Sequence, residues 1–478
     1  MKVLFVASEV VPFAKVGGLA DVAGSIPLAM APLGAEVEVI IPYYRQFVNK
    51  AVQEAPKKAA SLTLEDGVKI DIFVTAFPGT KIKVYLVDYP KFFDREQVYG
   101  YPDDFERFVL FSKAVYSFIL KSKYDLVHCN DWQSGLVPAY LKLGGNELPT
   151  LLTIHNLQYQ GVFSAEKLPV TCLDEKLLCP MGPLEFYGQL NLMKAGIYYA
   201  DLITTVSPTY AKEITTPAYG EGMEGLLKEK GGVTGILNGV DVDIWNPESD
   251  KLIPQAYSVT TLEKRGVDKK ALVKEFGLEY RKETPVVGMI SRLADQKGFD
   301  LILEKFTEIM KLDLQLVLLG TGEPRYHEAF TKLQKKYPEK FGLKLAFNNQ
   351  IAHLIEAGSD FFFMPSRFEP CGLNQMYSLR YGAVPVVRAT GGLADTIIDV
   401  DENPIAGNGF SFTEYTGEKL LDALKRAVSF YQRKAAYRNL QIRAMTADVS
   451  WEASGRKYLK AYEELRRKAK IKPEPVKA

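Results

Sequence analysis

The amino-acid sequence predicts an α/β protein built from two doubly wound domains, and three observations carry that expectation. Short continuous apolar runs alternate with helix-period segments along nearly the whole chain, as parallel strands covered on both faces by helices do. At 478 residues the chain exceeds what one ordinary core holds and suits two or three domains. A stretch of weak periodicity, roughly 245–265, interrupts the alternation, which then starts afresh.

In the first half, Val3–Ala7, Glu36–Ile41, Ile70–Thr75, Lys83–Val87, Leu126–Cys129, Thr150–Ile154 and Leu202–Val206 read as strands. Segments near 21–33, 105–121, 134–143, 185–199 and 208–215 carry helical spacing. The weakly periodic stretch reads as the connector between domains. Beyond it, Pro285–Ile290, Leu314–Gly320, Leu343–Phe347, Phe361–Pro365 and Val384–Arg388 read as strands, each followed by a helical pattern. The boundaries expected are therefore 1–240 for the first domain and 241–450 for the second. A last helix at 451–478, with a Pro-containing tail, is free either to stay with the second domain or to return to the first.

Composition narrows the function. Lys+Arg number 59 and Asp+Glu 58, so no overall field recruits nucleic acid or an anionic membrane. No run approaches 18 apolar residues, and Glu9 interrupts the short apolar start, so neither a membrane span nor a signal peptide is expected. Four cysteines without C-x-x-C spacing and four histidines argue against a disulfide framework or a structural zinc site. A reducing, cytoplasmic setting is expected.

The loops after the strands hold the chemistry. Lys15-Val16-Gly17-Gly18-Leu19-Ala20-Asp21 joins the first strand to the first helix. There, outward N–H groups and the helix dipole would favour an anion, with Lys15 adding a mobile charge. The plain alternative is an ordinary strand-to-helix turn. The spacing matches neither G-x-G-x-x-G nor G-x-x-x-x-G-K-[ST], which weakens dinucleotide and P-loop readings. In the second half, Arg292 and Lys297 flank a similar loop and suit a diphosphate, Arg as a planar fork and Lys as a point charge. Thr390-Gly391-Gly392-Leu393 makes a second anion-friendly turn. Between them lies Glu369 in Ser366-Arg367-Phe368-Glu369-Pro370-Cys371-Gly372-Leu373-Asn374-Gln375. It serves either as an N-terminal capping charge or as a carboxylate aimed at a sugar. Cys371 reads as a packed residue rather than a nucleophile. Asn130-Asp131-Trp132-Gln133 and His155-Asn156-Leu157-Gln158-Tyr159 are dense in hydrogen-bonding and aromatic groups that suit a polyhydroxylated ligand. Asp241-Val242-Asp243 imitates a metal motif but reads as turn chemistry after Asn-Gly.

Taken together, these stretches resemble the bacterial glycogen synthase and starch synthase family, over almost the full length. The resemblance rests on Lys15-x-Gly17-Gly18-Leu19, Asn130-Asp131-Trp132, His155-Asn156-Leu157, Thr205-Val206-Ser207-Pro208 and Asn238-Gly239-Val240-Asp241. It continues through Ser291-Arg292-Leu293 with Gln296-Lys297-Gly298, Glu369-Pro370-Cys371-Gly372-Leu373 and Thr390-Gly391-Gly392-Leu393. Asn374 stands where threonine is commoner, which touches a phosphate-side hydroxyl contact, and Met223-Glu224 replaces the usual Leu-Asp.

The resemblance implies a GT-B architecture, two Rossmann-like domains facing a deep cleft, with the acceptor on the first domain and the nucleotide sugar on the second. It implies a retaining glucosyltransferase that moves glucose from ADP-glucose to the nonreducing end of an α-1,4-glucan, without metal or prosthetic group. By the same carry-over, Arg292 and Lys297 would neutralise the diphosphate, and Lys15 with Gly17-Gly18 would approach the same phosphates. Glu369 would hold the glucosyl group, and His155 and Asn156 would contact the sugar. Tyr99, Asn238, Cys371, Gly372 and Leu373 would line the substrates, while Asp21 and Asp131 lie close by without assigned roles. A UDP-glucose-using relative and a non-catalytic glucan-binding protein stay open as alternatives.

Overall fold

The computed structural model describes residues 1–471. Two compact units emerge: Met1–Gly239 joined by the closing helix Trp451–Ile471, and Val240–Ser450. The Pro-containing tail beyond that helix lies outside the described residues.

The strands of the first unit are β1 Lys2–Val6, β2 Glu36–Pro42, β3 Lys57–Thr63, β4 Lys69–Ala76, β5 Lys83–Asp88, β6 Leu126–Asn130, β7 Thr150–Ile154, β8 Val162–Ser164, β9 Glu185–Phe186, β10 Gln189–Asn191, β11 Leu202–Thr205 and β12 Thr234–Gly235. Nine form one sheet in the order β12-β11-β7-β6-β1-β2-β5-β4-β3. From β12 to β5 every pairing is parallel, while β4 and β3 add antiparallel at one edge. The order reverses between β1 and β6, the topological switch point at which ligands meet open α/β sheets. The closing helix packs Trp451, Tyr458, Tyr462 and Leu465 into the same core as Val3, Phe5 and Val22. Tyr462 O–H also meets buried His128 Nδ1 at 2.7 Å, and His128 Nε2 meets Thr153 Oγ1 at 2.6 Å.

The second unit holds β13 Val286–Ile290, β14 Gln315–Leu319, β15 Phe341–Lys344, β16 Phe361–Met364, β17 Val384–Arg388 and β18 Phe410–Phe412. All pairs are parallel, in the order β15-β14-β13-β16-β17-β18. This is the 3-2-1-4-5-6 pattern of the doubly wound fold, with its switch point between β13 and β16. Leu316 and Leu318 face one core and Val317 and Leu319 the other, so β14 is buried on both sides. That double burial is why these strands read as unbroken apolar runs.

Several expectations need correction. Residues 185–191 are not helical. A tight turn at Tyr187-Gly188 folds them into β9 and β10, and the helix starts only at Leu192, where Asn191 Oδ1 accepts the Lys194 N–H at 2.8 Å. The strand expected at Leu343–Phe347 runs from Phe341 to Lys344 instead, and Phe347 is exposed. The 245–265 stretch is no free connector: Trp245 stacks between His353 and Tyr377 inside the second unit, and Asp250 accepts from His353 and Tyr381. Aromatic stacking holds this segment without any periodic pattern.

Candidate active site

In the first unit the signalled residues gather at the carboxyl ends of the strands flanking the switch point. After β1, Val10 and Ala14 pair in an isolated antiparallel bridge, which turns the chain back on itself. The bridge sets Glu9 beside the loop that follows. Glu9 is buried, and its Oε2 accepts the N–H of Val16 at 2.5 Å and of Gly17 at 3.1 Å. The expectation that these N–H groups point outward is therefore wrong here, because the protein's own carboxylate takes them. Burial holds the Glu9 carboxyl above the usual carboxylate range. Lys15 is half-exposed and pairs with Asp21 at 2.7 Å across the first turn of the helix Gly18–Met30. Tyr99 O–H and Ser8 Oγ share a hydrogen bond of 2.7 Å, joining the Tyr99 loop to the end of β1.

Asp131 follows β6 with φ 53 and ψ −175, a region populated essentially by glycine. Its Oδ1 accepts the His155 N–H at 2.8 Å, so one strained carboxylate organises the loop after β7. Burial pushes the Asp131 carboxyl up to about 7, and the nearby Glu9 charge adds to the shift. His155 is driven down to about 3 by burial and is neutral at physiological pH. Its Nε2 lies 2.9 Å from Asn130 Oδ1, while Asn130 Nδ2 donates to the Val6 carbonyl at 3.0 Å. Asn130 Oδ1 is thus the acceptor, which puts the imidazole proton on Nε2 and a lone pair on Nδ1. Asn156 Oδ1 caps the local turn by accepting the Gln158 N–H at 3.0 Å. Asn238, after β12, is buried, and its Oδ1 has no hydrogen-bond partner among the described residues.

The second unit collects its residues after β13, β16 and β17, three neighbouring strands at its switch point. Lys297 and Glu369, 72 residues apart, meet at 2.7 Å, and Ser366 Oγ donates to the same carboxylate oxygen at 3.0 Å. The N-capping alternative for Glu369 falls: the helix begins at Asn374 with Leu373 as its cap residue. Arg292 is exposed on the same loop as Lys297. Glycines let the three loops interlock. Gly391 has φ 45, and a Cβ there would lie 1.9 Å from the Glu369 carbonyl oxygen; one at Gly392 would lie 2.0 Å from that of Cys371. Cys371 is buried. Gln375 Nε2 donates to the Cys371 and Gly372 carbonyls, fixing the turn at Gly372. Asn374 points elsewhere, its Nδ2 donating to the Ile290 carbonyl at 2.8 Å and tying helix to strand.

The sequence reading missed three groups: Glu9, Ser366 and Arg388, whose guanidinium donates to the Arg367 carbonyl at 2.5 Å. Glu9 had a signal, a carboxylate in an apolar run at a strand's end; Ser366 acts on Glu369 three residues along its own loop, and Arg388 acts through a contact between loops that no local pattern reveals. Asp241 Oδ1 accepts the N–H groups of Asp243 and Ile244, as turn chemistry requires. Among the described residues, no group of three or more His, Cys, Asp or Glu is arranged to hold a metal, and no helix is long and apolar enough to cross a membrane.

Two doubly wound sheets, each with polar loops at its switch point, fit a glycosyltransferase of the GT-B class, and the comparisons show it. A family model described as starch synthase catalytic domain matches residues 2–229, and one described as glycosyl transferases group 1 matches residues 273–440. The chain is 45% identical to a glycogen synthase of Thermosipho africanus, covering 97% of this chain and 98% of that one. It is 47% identical to a glycogen synthase of Moorella thermoacetica, with 97% and 96% covered. The chain therefore belongs to the glycogen synthase and starch synthase family. Among solved structures, the catalytic domain of starch synthase IV from Arabidopsis thaliana, bound to ADP and acarbose, superposes with a TM-score of 0.88 at 33% identity, covering 98% of this chain and 99% of that one. The sucrose-phosphate synthase of Thermosynechococcus elongatus shares the fold, with a TM-score of 0.61 at 18% identity over 98% and 99% of the two chains.

Proposed function

We propose that this chain acts as a glycogen synthase, moving glucose from ADP-glucose to the nonreducing end of an α-1,4-glucan with retention at the anomeric carbon. The observation that carries the site assignment is the Lys297–Glu369 pair at the switch point of the second sheet. A diphosphate beside Arg292 competes for the Lys297 ammonium and releases the Glu369 carboxylate toward the glucosyl group. Charge then develops on the leaving phosphate oxygen next to two cations. These stabilise the transition state more than the ground state. Glu369 meets the oxocarbenium character of the sugar; the acceptor hydroxyl attacks C1 on the face the diphosphate leaves, as the C1–O bond to the diphosphate breaks and the hydroxyl proton passes to the departing phosphate oxygen.

In the first unit, Lys15 and the Gly17-Gly18 loop bind phosphate. Gly17 supports this assignment: its backbone is extended, and an added Cβ would make only ordinary contact with Glu9 at 3.5 Å. Neither conformation nor packing calls for glycine there, whereas close approach of a ligand to the backbone does. His155 accepts a sugar hydroxyl at Nδ1, with Asn156, Tyr99 and Asp131 around it. Asn238 Oδ1, a buried acceptor without a partner, takes a ligand donor. Cys371, Gly372 and Leu373 bring backbone to the donor. The setting is cytoplasmic, in keeping with four free cysteines.

ADP as the donor nucleotide is supported by the relative that binds it. The test is glucose transfer to glycogen with ADP-glucose and UDP-glucose side by side. Faster transfer from ADP-glucose is expected. Preference for UDP-glucose overturns the donor assignment, and transfer from neither overturns the activity.

A further inference from the structure

A buried carboxylate behind a phosphate-binding loop is an unusual neighbour for a dianionic substrate. Glu9 is 3% exposed, sits by the N-terminus of the 13-residue helix Gly18–Met30, and accepts two consecutive backbone N–H groups of the loop. Burying a carboxylate is costly unless donors satisfy it, and the helix dipole adds to what the two N–H groups provide. The Val10–Ala14 bridge fixes Glu9 relative to the loop, while Val11 N–H donates to the Ala20 carbonyl at 3.0 Å and ties that turn to the helix. The Lys15–Asp21 pair, by contrast, is half-exposed on its lysine side. An exposed pair is weak and gives way readily to a stronger anion.

We propose that Glu9 is a positioning residue of the donor site: from behind the loop it draws the Val16 and Gly17 N–H groups inward, so that Lys15 and the opening N–H groups of the helix are what the diphosphate meets. This rests on the nucleotide-sugar reading above. Glu9 does not itself touch the donor; it acts through the backbone of residues 15–18. The loop so held is pre-ordered, and the substrate does not have to spend binding energy on arranging it. What matters is an acceptor oxygen at the right distance. A glutamine supplies that oxygen without the charge, and an alanine supplies neither.

The experiment compares the full-length protein with Glu9→Ala and Glu9→Gln, measuring ADP affinity by calorimetry and steady-state kinetics with ADP-glucose and glycogen. Glu9→Ala is expected to weaken ADP binding and raise KM for ADP-glucose by about tenfold or more, the scale of losing hydrogen bonds to a charged acceptor. KM for glycogen should stay near its original value, and Glu9→Gln should restore most of the ADP affinity. Unchanged ADP affinity in Glu9→Ala, or equal impairment of both variants, overturns the proposal. Hydrogen exchange on the unmodified protein needs no variant to fold: the peptide covering Val16 and Gly17 should exchange slowly without ADP, and fast exchange overturns the proposal. If the unmodified protein transfers no glucose, the functional reading falls instead, while the exchange result still reports on Glu9.

Discussion

The two switch points put the same kinds of residue to work in opposite ways. In the first unit the loop cation is half-exposed, its partner Asp21 is six residues away, and the loop backbone hangs on one carboxylate. In the second, the cation is paired with a buried carboxylate from another loop, and three loops lock through backbone contacts that tolerate only glycine. In the first, the exposed Lys15–Asp21 pair can yield to a ligand at little cost while Glu9 keeps the loop backbone in place. In the second, the loop backbones are interlocked beforehand and only the Lys297–Glu369 pair has to open. Under the function proposed above, the contrast fits recruitment at the first and chemistry at the second.

Breaking the interlock should have the largest effect. Gly391→Ala forces a Cβ onto the Glu369 carbonyl and a non-glycine residue into a left-handed conformation. We expect loss of about 3 kcal/mol of stability and nearly all glucose transfer, measured by thermal melts and assay. Next come Lys297→Ala and Glu369→Gln, each expected to lower kcat by about 10² or more. A near-normal kcat in either would remove it from the catalytic role and erase the contrast. Lys15→Met should raise KM for ADP-glucose about tenfold, the scale of one charge-assisted contact, while moving stability by less than about 0.5 kcal/mol. A large fall in melting temperature would mean that the first loop is as structurally committed as the second.

The remaining expected effect is on stability rather than turnover and concerns Asp131. Folding raises its carboxyl from about 3.9 in the unfolded chain to about 7. The native state thus favours the protonated form, and the stability so gained is complete below pH ~4 and lost as pH rises through 7. Asp131→Asn keeps an oxygen for the His155 N–H and never ionises. It should be more stable than the unmodified protein by about 1–3 kcal/mol at pH 8, with no such advantage at pH 4. A stability difference independent of pH would place Asp131 in a more solvated setting.

How far the sequence could be read depended on sequence distance. Strands buried on both faces, such as Thr150–Ile154 and Val384–Arg388, stand out as short, largely apolar segments with the bounds expected from sequence. The edge strand β3, Lys57–Thr63, is mostly exposed, so it carries no such run and left no trace. Loops at strand ends were legible as candidate sites because glycine and polar residues cluster there. Their pairings were not. Lys297 and Glu369 meet only because β13 and β16 are neighbours at the switch point, which is a property of topology. Glu9 is legible as a charge out of place, but its target, the N–H groups of Val16 and Gly17, depends on the turn that the Val10–Ala14 bridge closes.

The closing helix bears on how such a chain comes to be folded. Tyr462 reaches back to His128, and Trp451 and Tyr458 complete a core otherwise drawn from the first 240 residues. During synthesis the amino-terminal sheet must therefore wait, with part of one face uncovered, until the segment from Trp451 to Leu465 leaves the ribosome. The second unit, continuous from Val240 to Ser450, has no such delay. The half that is made first is the half that finishes last, and in the interval its uncovered face is open to aggregation or to a chaperone.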